Sequence, residues 1–166
     1  MPLGSRAADR WEAERRRHDR QLLVIARSSF LFVGSLPWWL PLVRDVLGIA
    51  GDALDLSFVV LCHRLPERTL EIGHHAMPVC SRCGGIYLGL ALGAVLMWPR
   101  LSLRGARWAL FGAGLLMLID VVTQDLGLHP VWHATRIATG ALLGWVASST
   151  LMAEIRRERG MLPRPR

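Results

Sequence analysis

The sequence predicts an all-α membrane helix bundle of about four transmembrane helices, with an outer Cys/His loop. Three observations lead there. Hydrophobic residues make up 52% of the 166-residue chain, and the mean hydropathy of +0.31 is high for a protein in water. The apolar residues come in blocks separated by Arg-bearing segments, as in a small polytopic membrane protein. Two of these blocks carry small residues every fourth position, which lets helices approach closely in lipid.

The length suits one compact unit. The net charge is +7 and every basic residue is Arg. Arginines crowd the two ends and one short central loop, where membrane proteins keep their cytoplasmic charge. The charge is therefore read as topology: the lipid bilayer is the expected partner, and no nucleic acid is.

Residues 1–21 form a basic tail with interleaved acids, and Glu12 precedes Arg16 in the favourable i,i+4 order. A solvated cytoplasmic helix or disordered tail is expected. The competing reading is a surface helix on anionic lipid with Trp11 as anchor. A signal peptide is not expected, because the polar lead is long and Pro37-Trp38-Trp39-Leu40-Pro41 is no small-residue cleavage region.

The membrane bundle is expected over 22–155. Its first span, 22–43, has Arg27 near the inner end, from which it can snorkel to the headgroups. Trp38 and Trp39 suit an outer aromatic belt, and the flanking prolines suit a helix end. The outer loop, 44–83, opens with Asp45, Asp52 and Asp55. The apolar run that follows is too short to cross a bilayer, and an interfacial or re-entrant helix ending at Cys62 is expected, with a cap at Asp52 or Asp55. Residues 64–82 read as loop, with Pro66, Gly73 and Pro78.

The second span, 84–98, carries Gly85, Gly89 and Gly93 on one helix face. Residues 99–107 form a tight loop with Arg100, Arg104 and Arg107. The third span, 108–124, contains Asp120. A short loop leads to the fourth span, 135–155, where Gly140, Gly144 and Ser148 repeat the four-residue spacing. Residues 156–166 are a second basic tail. Four spans put both tails and the 99–107 loop on one side, which the positive-inside rule makes cytoplasmic. The expectation is a multi-pass protein of the cell's inner membrane, both termini cytoplasmic and the Cys/His loop outside. Arg44, Arg64, Arg68 and Arg82 on the outer side are offset by Asp45, Asp52, Asp55, Glu67 and Glu71.

All three cysteines lie in that loop. Cys80 and Cys83 form a C-x-x-C turn that offers two sulfurs to one tetrahedral ion, and Cys62 brings a third from an upstream element. His74 or His75 would complete a Cys3His site for a transition metal, with zinc the default among soft-metal choices. His63 adjoins Cys62, and neighbours struggle to bind one ion together. The rival reading is a membrane thiol–disulfide oxidoreductase using Cys80 and Cys83, with Arg82 and the helix start favouring thiolate. A third is a lipid-phosphate or small-anion binder using Arg64, Arg68, Arg82 and Arg136.

Asp120 is an ionisable residue inside a span, where such groups are costly and are paired or functional. Gln124 lies one turn on, and Arg136 is the expected partner. The pair is read either as a clamp between helices or, for Asp120, as a proton carrier or supporting carboxylate for the thiol site. With His63, Arg68 and Arg82 these residues make a polar cluster at the outer face. No catalytic residue or reaction is predicted.

At Cys62-His63-x-x-Pro66-x-Arg68, then Pro78-Val79-Cys80-x-Arg82-Cys83-x-Gly85-Ile86-Tyr87-x-Gly89, the chain resembles the domain of unknown function 2085 family of prokaryotic membrane proteins. Asp120-x-x-x-Gln124-x-Leu126-Gly127 and Arg136-x-x-Thr139-Gly140 extend the likeness, which covers roughly residues 58–144. Arg64 departs from it, standing where Gln is expected. The resemblance implies an architecture and a set of residues, and no reaction.

Overall fold

The computed structural model describes residues 3–96 and 103–158, with side chains from 10 to 96 and from 104 to 155. The expected tight loop at 99–107 falls partly outside these residues, as do the end of the second span and the last residues of the C-terminal tail.

A single helix, α1 (Leu3–Leu47), unites the predicted tail and first span. The i,i+4 pair is present, with Arg16 donating to Glu12 at 3.1 Å. Pro37 and Pro41 lie inside α1 and do not end it. Each proline removes one ladder hydrogen bond, but four-residue spacing puts both gaps on one face. That face is the buried one, where Pro37, Leu40 and Pro41 pack inward. Trp38 is also not a free belt residue, because its indole N–H donates to the Gly84 carbonyl at 3.1 Å.

Helix α2 (Ile49–Ser57) and a 3-10 turn at Phe58–Val60 bring the chain to Cys62. Gly48 occupies the cap position, and the two candidate cap aspartates are used elsewhere. Asp52 accepts from Arg44 at 2.9 Å, and Asp55 accepts both Nη groups of Arg64 at 2.8 and 3.2 Å.

The expected loop at 64–82 is in fact a β-hairpin, so the protein is mostly but not wholly helical. Strand β1 (Thr69–Ile72) pairs antiparallel with β2 (His75–Cys80), with an irregularity between Thr69 and Glu71. The turn holds Gly73 at φ 66°, in the left-handed region that favours glycine. Met77, Pro78 and Val79 are buried against the helices.

Helix α3 (Ser81–Val95) begins directly after β2, and α4 (Leu103–Asp125) and α5 (His133–Glu158) follow. Helix α3 packs most extensively on α5, with α1 on its other flank, and α4 packs on α5. The two small-residue stripes face each other. A Cβ at Gly85, Gly89 or Gly93 would run into Ile137, Ala141 or Ser148 of α5, and one at Gly140 or Gly144 would strike the backbone of Arg82 or Ile86. Backbones in such contact leave no room for a methyl group.

Among the described residues two helices are long and apolar enough to cross a membrane, within Arg10–Leu47 and Arg104–Asp125. Helix α3 is apolar but shorter. Helix α5 has the length, at 26 residues, with Arg136, Glu154 and several hydroxyls diluting its apolar character.

Candidate metal centre

Chain geometry brings the three sulfurs together. Cys80 ends β2 and is the residue before α3, so it has extended backbone. Cys83 lies in the first turn of α3. Cys62 leaves the 3-10 turn and packs with Leu40, Phe58 and Val79 in one buried cluster, which Cys80, Cys83 and Tyr87 also touch. Phe58 meets the Tyr87 ring edge-on at 5.7 Å. The three Sγ atoms lie within 4.8 Å of one another. A zinc ion with Zn–S near ~2.3 Å needs sulfurs roughly 3.8 Å apart, so only a small contraction separates this group from a ligand set.

The surroundings favour thiolate. The Cys80 backbone N–H donates to Cys62 Sγ at 3.2 Å. Cys80 itself is pushed down to about 4, first by the hydrogen bond with Cys83. Burial opposes this, while further hydrogen bonds with Cys62 and the Arg136 guanidinium support it.

Neither histidine expected as fourth ligand joins the sulfurs. His75 Nε2 lies 3.0 Å from Asp45, and His74 is exposed in the hairpin turn. The reason is the strand: five residues separate His75 from Cys80, and at ~3.3 Å each they span roughly 16 Å. His63 is exposed and lines the cavity beside the thiols.

Of the residues expected in the polar cluster, Arg82, Asp120, Gln124 and Arg136 hydrogen-bond to one another, wired differently from expectation. Asp120 accepts from Arg82 Nη2 at 2.6 Å, and both side chains are only 10% exposed. Gln124 bridges the arginines, accepting from Arg82 at 3.3 Å and from Arg136 at 2.6 Å. Arg136, 2% exposed, also donates from Nε to Ser81 Oγ at 3.0 Å. Asp120 therefore clamps α4 to α3 through Arg82, and the cation touching the Cys80 sulfur is Arg136. Arg68 reaches Asp125 at 3.3 Å.

Two features escaped the sequence. Ser81 sits unremarked inside C-S-R-C, yet it is fully buried and orients Arg136. Arg64 adopts φ 51°, uncommon outside glycine, and binds Asp55 with both Nη groups. The guanidinium thus uses a partner that a neutral amide would not pair with in the same way.

Between these groups lies a cavity of about 290 Å3, lined by the three cysteines, by Arg64, Arg68, Arg82 and Arg136, and by apolar side chains.

Exposed apolar helix faces around a buried polar and thiol centre suit a helical membrane protein. The chain belongs to the domain of unknown function 2085 family, described as a predicted membrane protein: residues 62–150, more than half of the chain, match the family model. That stretch holds every cysteine, Arg82, Asp120, Gln124 and Arg136. An uncharacterized protein of Methanocaldococcus jannaschii is 32% identical over 93 residues, 53% of this chain and 59% of that protein. An uncharacterized protein of Methanothermobacter thermautotrophicus is 37% identical over 92 residues, 54% of this chain and 82% of that protein. No solved structure matches.

Proposed function

We propose that this protein holds a transition metal, zinc by default, on Cys62, Cys80 and Cys83 at the outer mouth of a four-span bundle in the cell's inner membrane. The single observation behind this reading is the mutual approach of three sulfurs within 4.8 Å, drawn from three separate segments. Charge supports it. Three thiolates around a divalent ion carry one net negative charge, and the buried Arg136 beside Cys80 carries one positive. Ionic groups taken out of water are tolerated when paired in this way. The polar cluster of Asp120, Gln124 and Arg82 holds that arginine in place. His74 and His75 have no part in this reading.

A second reading keeps Cys80 and Cys83 as a dithiol. Its support is the lowered Cys80 and its hydrogen bond with Cys83, since a thiolate beside a thiol is the starting state of disulfide exchange.

Metal analysis of the protein purified without chelator separates the two. The expected result is close to one transition metal per chain, lost in Cys80→Ser while later spans still insert. Less than about a tenth of an equivalent, or a Cys80–Cys83 disulfide as the resting state, overturns the metal reading. For topology, with Arg-rich tails inside and the hairpin outside, reporter fusions after Arg104 and after His74 should localise oppositely. Like-sided signals would remove the four-span arrangement.

A further inference from the structure

The cavity above the sulfurs has a composition that a metal site alone does not require. Four arginines line it, and no carboxylate does. The carboxylates that pair with them stand behind the wall: Asp55 on Arg64 at 2.8 Å, Asp120 on Arg82 at 2.6 Å and Asp125 on Arg68 at 3.3 Å. The cavity therefore sets guanidinium-bearing side chains beside the thiols, with the carboxylates outside its lining.

A further feature bears on the kind of occupant. Apolar side chains share the lining, with Leu61, Leu65, Ile86 and Met117. The cavity thus combines cationic and apolar lining, and at about 290 Å3 it exceeds what a bare phosphate fills.

The sulfur centre opens on this same space, because Cys62, Cys80 and Cys83 all line it. Three protein ligands leave a tetrahedral ion one position short. Metal sites of that kind hold water or substrate there, whereas structural zinc sites are closed by four ligands.

We propose that the arginine-lined cavity binds a phosphate-class oxyanion, carried on an apolar group, over the open face of the three-sulfur centre. Arg136 and Arg82 grip the oxyanion from the bundle side, and Arg64 and Arg68 from the loop side. Guanidinium forks match phosphate oxygens two at a time, which suits four arginines around one anion better than isolated ammonium groups would. Leu65, Ile86 and Met117 receive the apolar group. The metal-borne part of this proposal rests on the metal reading above; the arginine cavity does not.

The test uses the full chain in detergent micelles, loaded with Co2+ as a spectroscopic probe. Sulfur-to-cobalt charge-transfer absorption reports the metal. Ligand-field bands report the fourth position. The expected result is a saturable shift of those bands by dodecyl phosphate, with weaker binding of inorganic phosphate. Equal affinity for the two would mean a free oxyanion and remove the apolar subsite. Arg68→Gln and Arg64→Gln, which change partly exposed side chains, should each weaken binding roughly tenfold, as loss of a charge-assisted hydrogen bond does. The charge-transfer band should keep full intensity in both, showing that the centre remains folded.

If cobalt does not bind, the metal reading fails, and calorimetric titration of the metal-free protein with dodecyl phosphate still decides the cavity. Silence in both spectroscopy and calorimetry overturns the oxyanion site. So does affinity unchanged in both arginine variants. Ligand-field bands that ignore phosphate but change in His63→Ala would show His63 closing the fourth position, and would overturn the open face.

Discussion

Along α3 and α5 each glycine of the facing stripes meets backbone or side-chain atoms of the other helix, whereas Gly112 and Gly114 of α4 have open space where a Cβ would stand. The two contacts are built from different forces. The α3–α5 seam relies on backbone approach and dispersion, spread along its length. Helix α4 does contact α5, and at its C-terminal end side chains tether it to its neighbours, where Asp120 and Gln124 meet Arg82 and Arg136, and Asp125 meets Arg68. The same residue type is thus indispensable packing in one helix and lipid-facing or solvent-facing surface in another. A glycine count does not distinguish them; the partner helix does.

The largest effect that tests this contrast is expected in the seam. Gly89→Leu drives a branched side chain into the Ala141 carbonyl and the Trp145 amide. Overpacking there should cost on the order of 3 kcal/mol or more, seen as loss of monodisperse protein and a lower unfolding temperature in detergent. A wild-type melting curve for this variant would break the seam picture.

Next comes the tether. Asp120→Leu leaves Arg82 buried beside an apolar side chain, and losing one member of a buried pair costs roughly 3–5 kcal/mol. Asp120→Asn keeps an acceptor for Arg82 and should cost about 1–2 kcal/mol. Equal, negligible effects in thermal unfolding would show that α4 does not depend on charge. In both variants the α3–α5 seam should survive, which a cysteine crosslink engineered across it can report.

The smallest effect is expected at Gly112→Ala. The new methyl group meets nothing, and alanine is the better helix former, so stability should stay level or rise by up to about 1 kcal/mol. A clear loss would reveal a neighbour on that face and bring α4 closer in kind to the seam.

The seam and the thiol group were legible in the sequence for a common reason: each rests on spacing. Gly85, Gly89 and Gly93, and Gly140, Gly144 and Ser148, state two close-packing helix faces, and Cys80-x-x-Cys83 states a turn. What spacing does not carry was missed. The β-hairpin hides because Pro78 interrupts the strand and β1 has only four residues, too little alternation to count. The histidines stand apart from the sulfurs because nearness in sequence is not nearness in space: an extended strand separates His75 from Cys80. The arginine partners were exchanged because Arg82 and Arg136 sit close together at the same end of α3 and α5. Both reach Gln124, and only coordinates show which one takes Asp120. The prolines of α1 look like a stop until the buried face they share is known.

The length of α1 has a mechanical consequence. At about 1.5 Å per residue its 45 residues extend about 67 Å, over twice the ~30 Å hydrocarbon thickness. The helix is therefore longer than a crossing requires, and residues 10–18 within its first half are exposed. The other end is fixed to the thiol end of α3 through the Trp38–Gly84 hydrogen bond, beside the two prolines where a helix flexes most readily. The proline-bearing turn of α1 thus meets α3 one residue after Cys83, through Trp38 and Gly84.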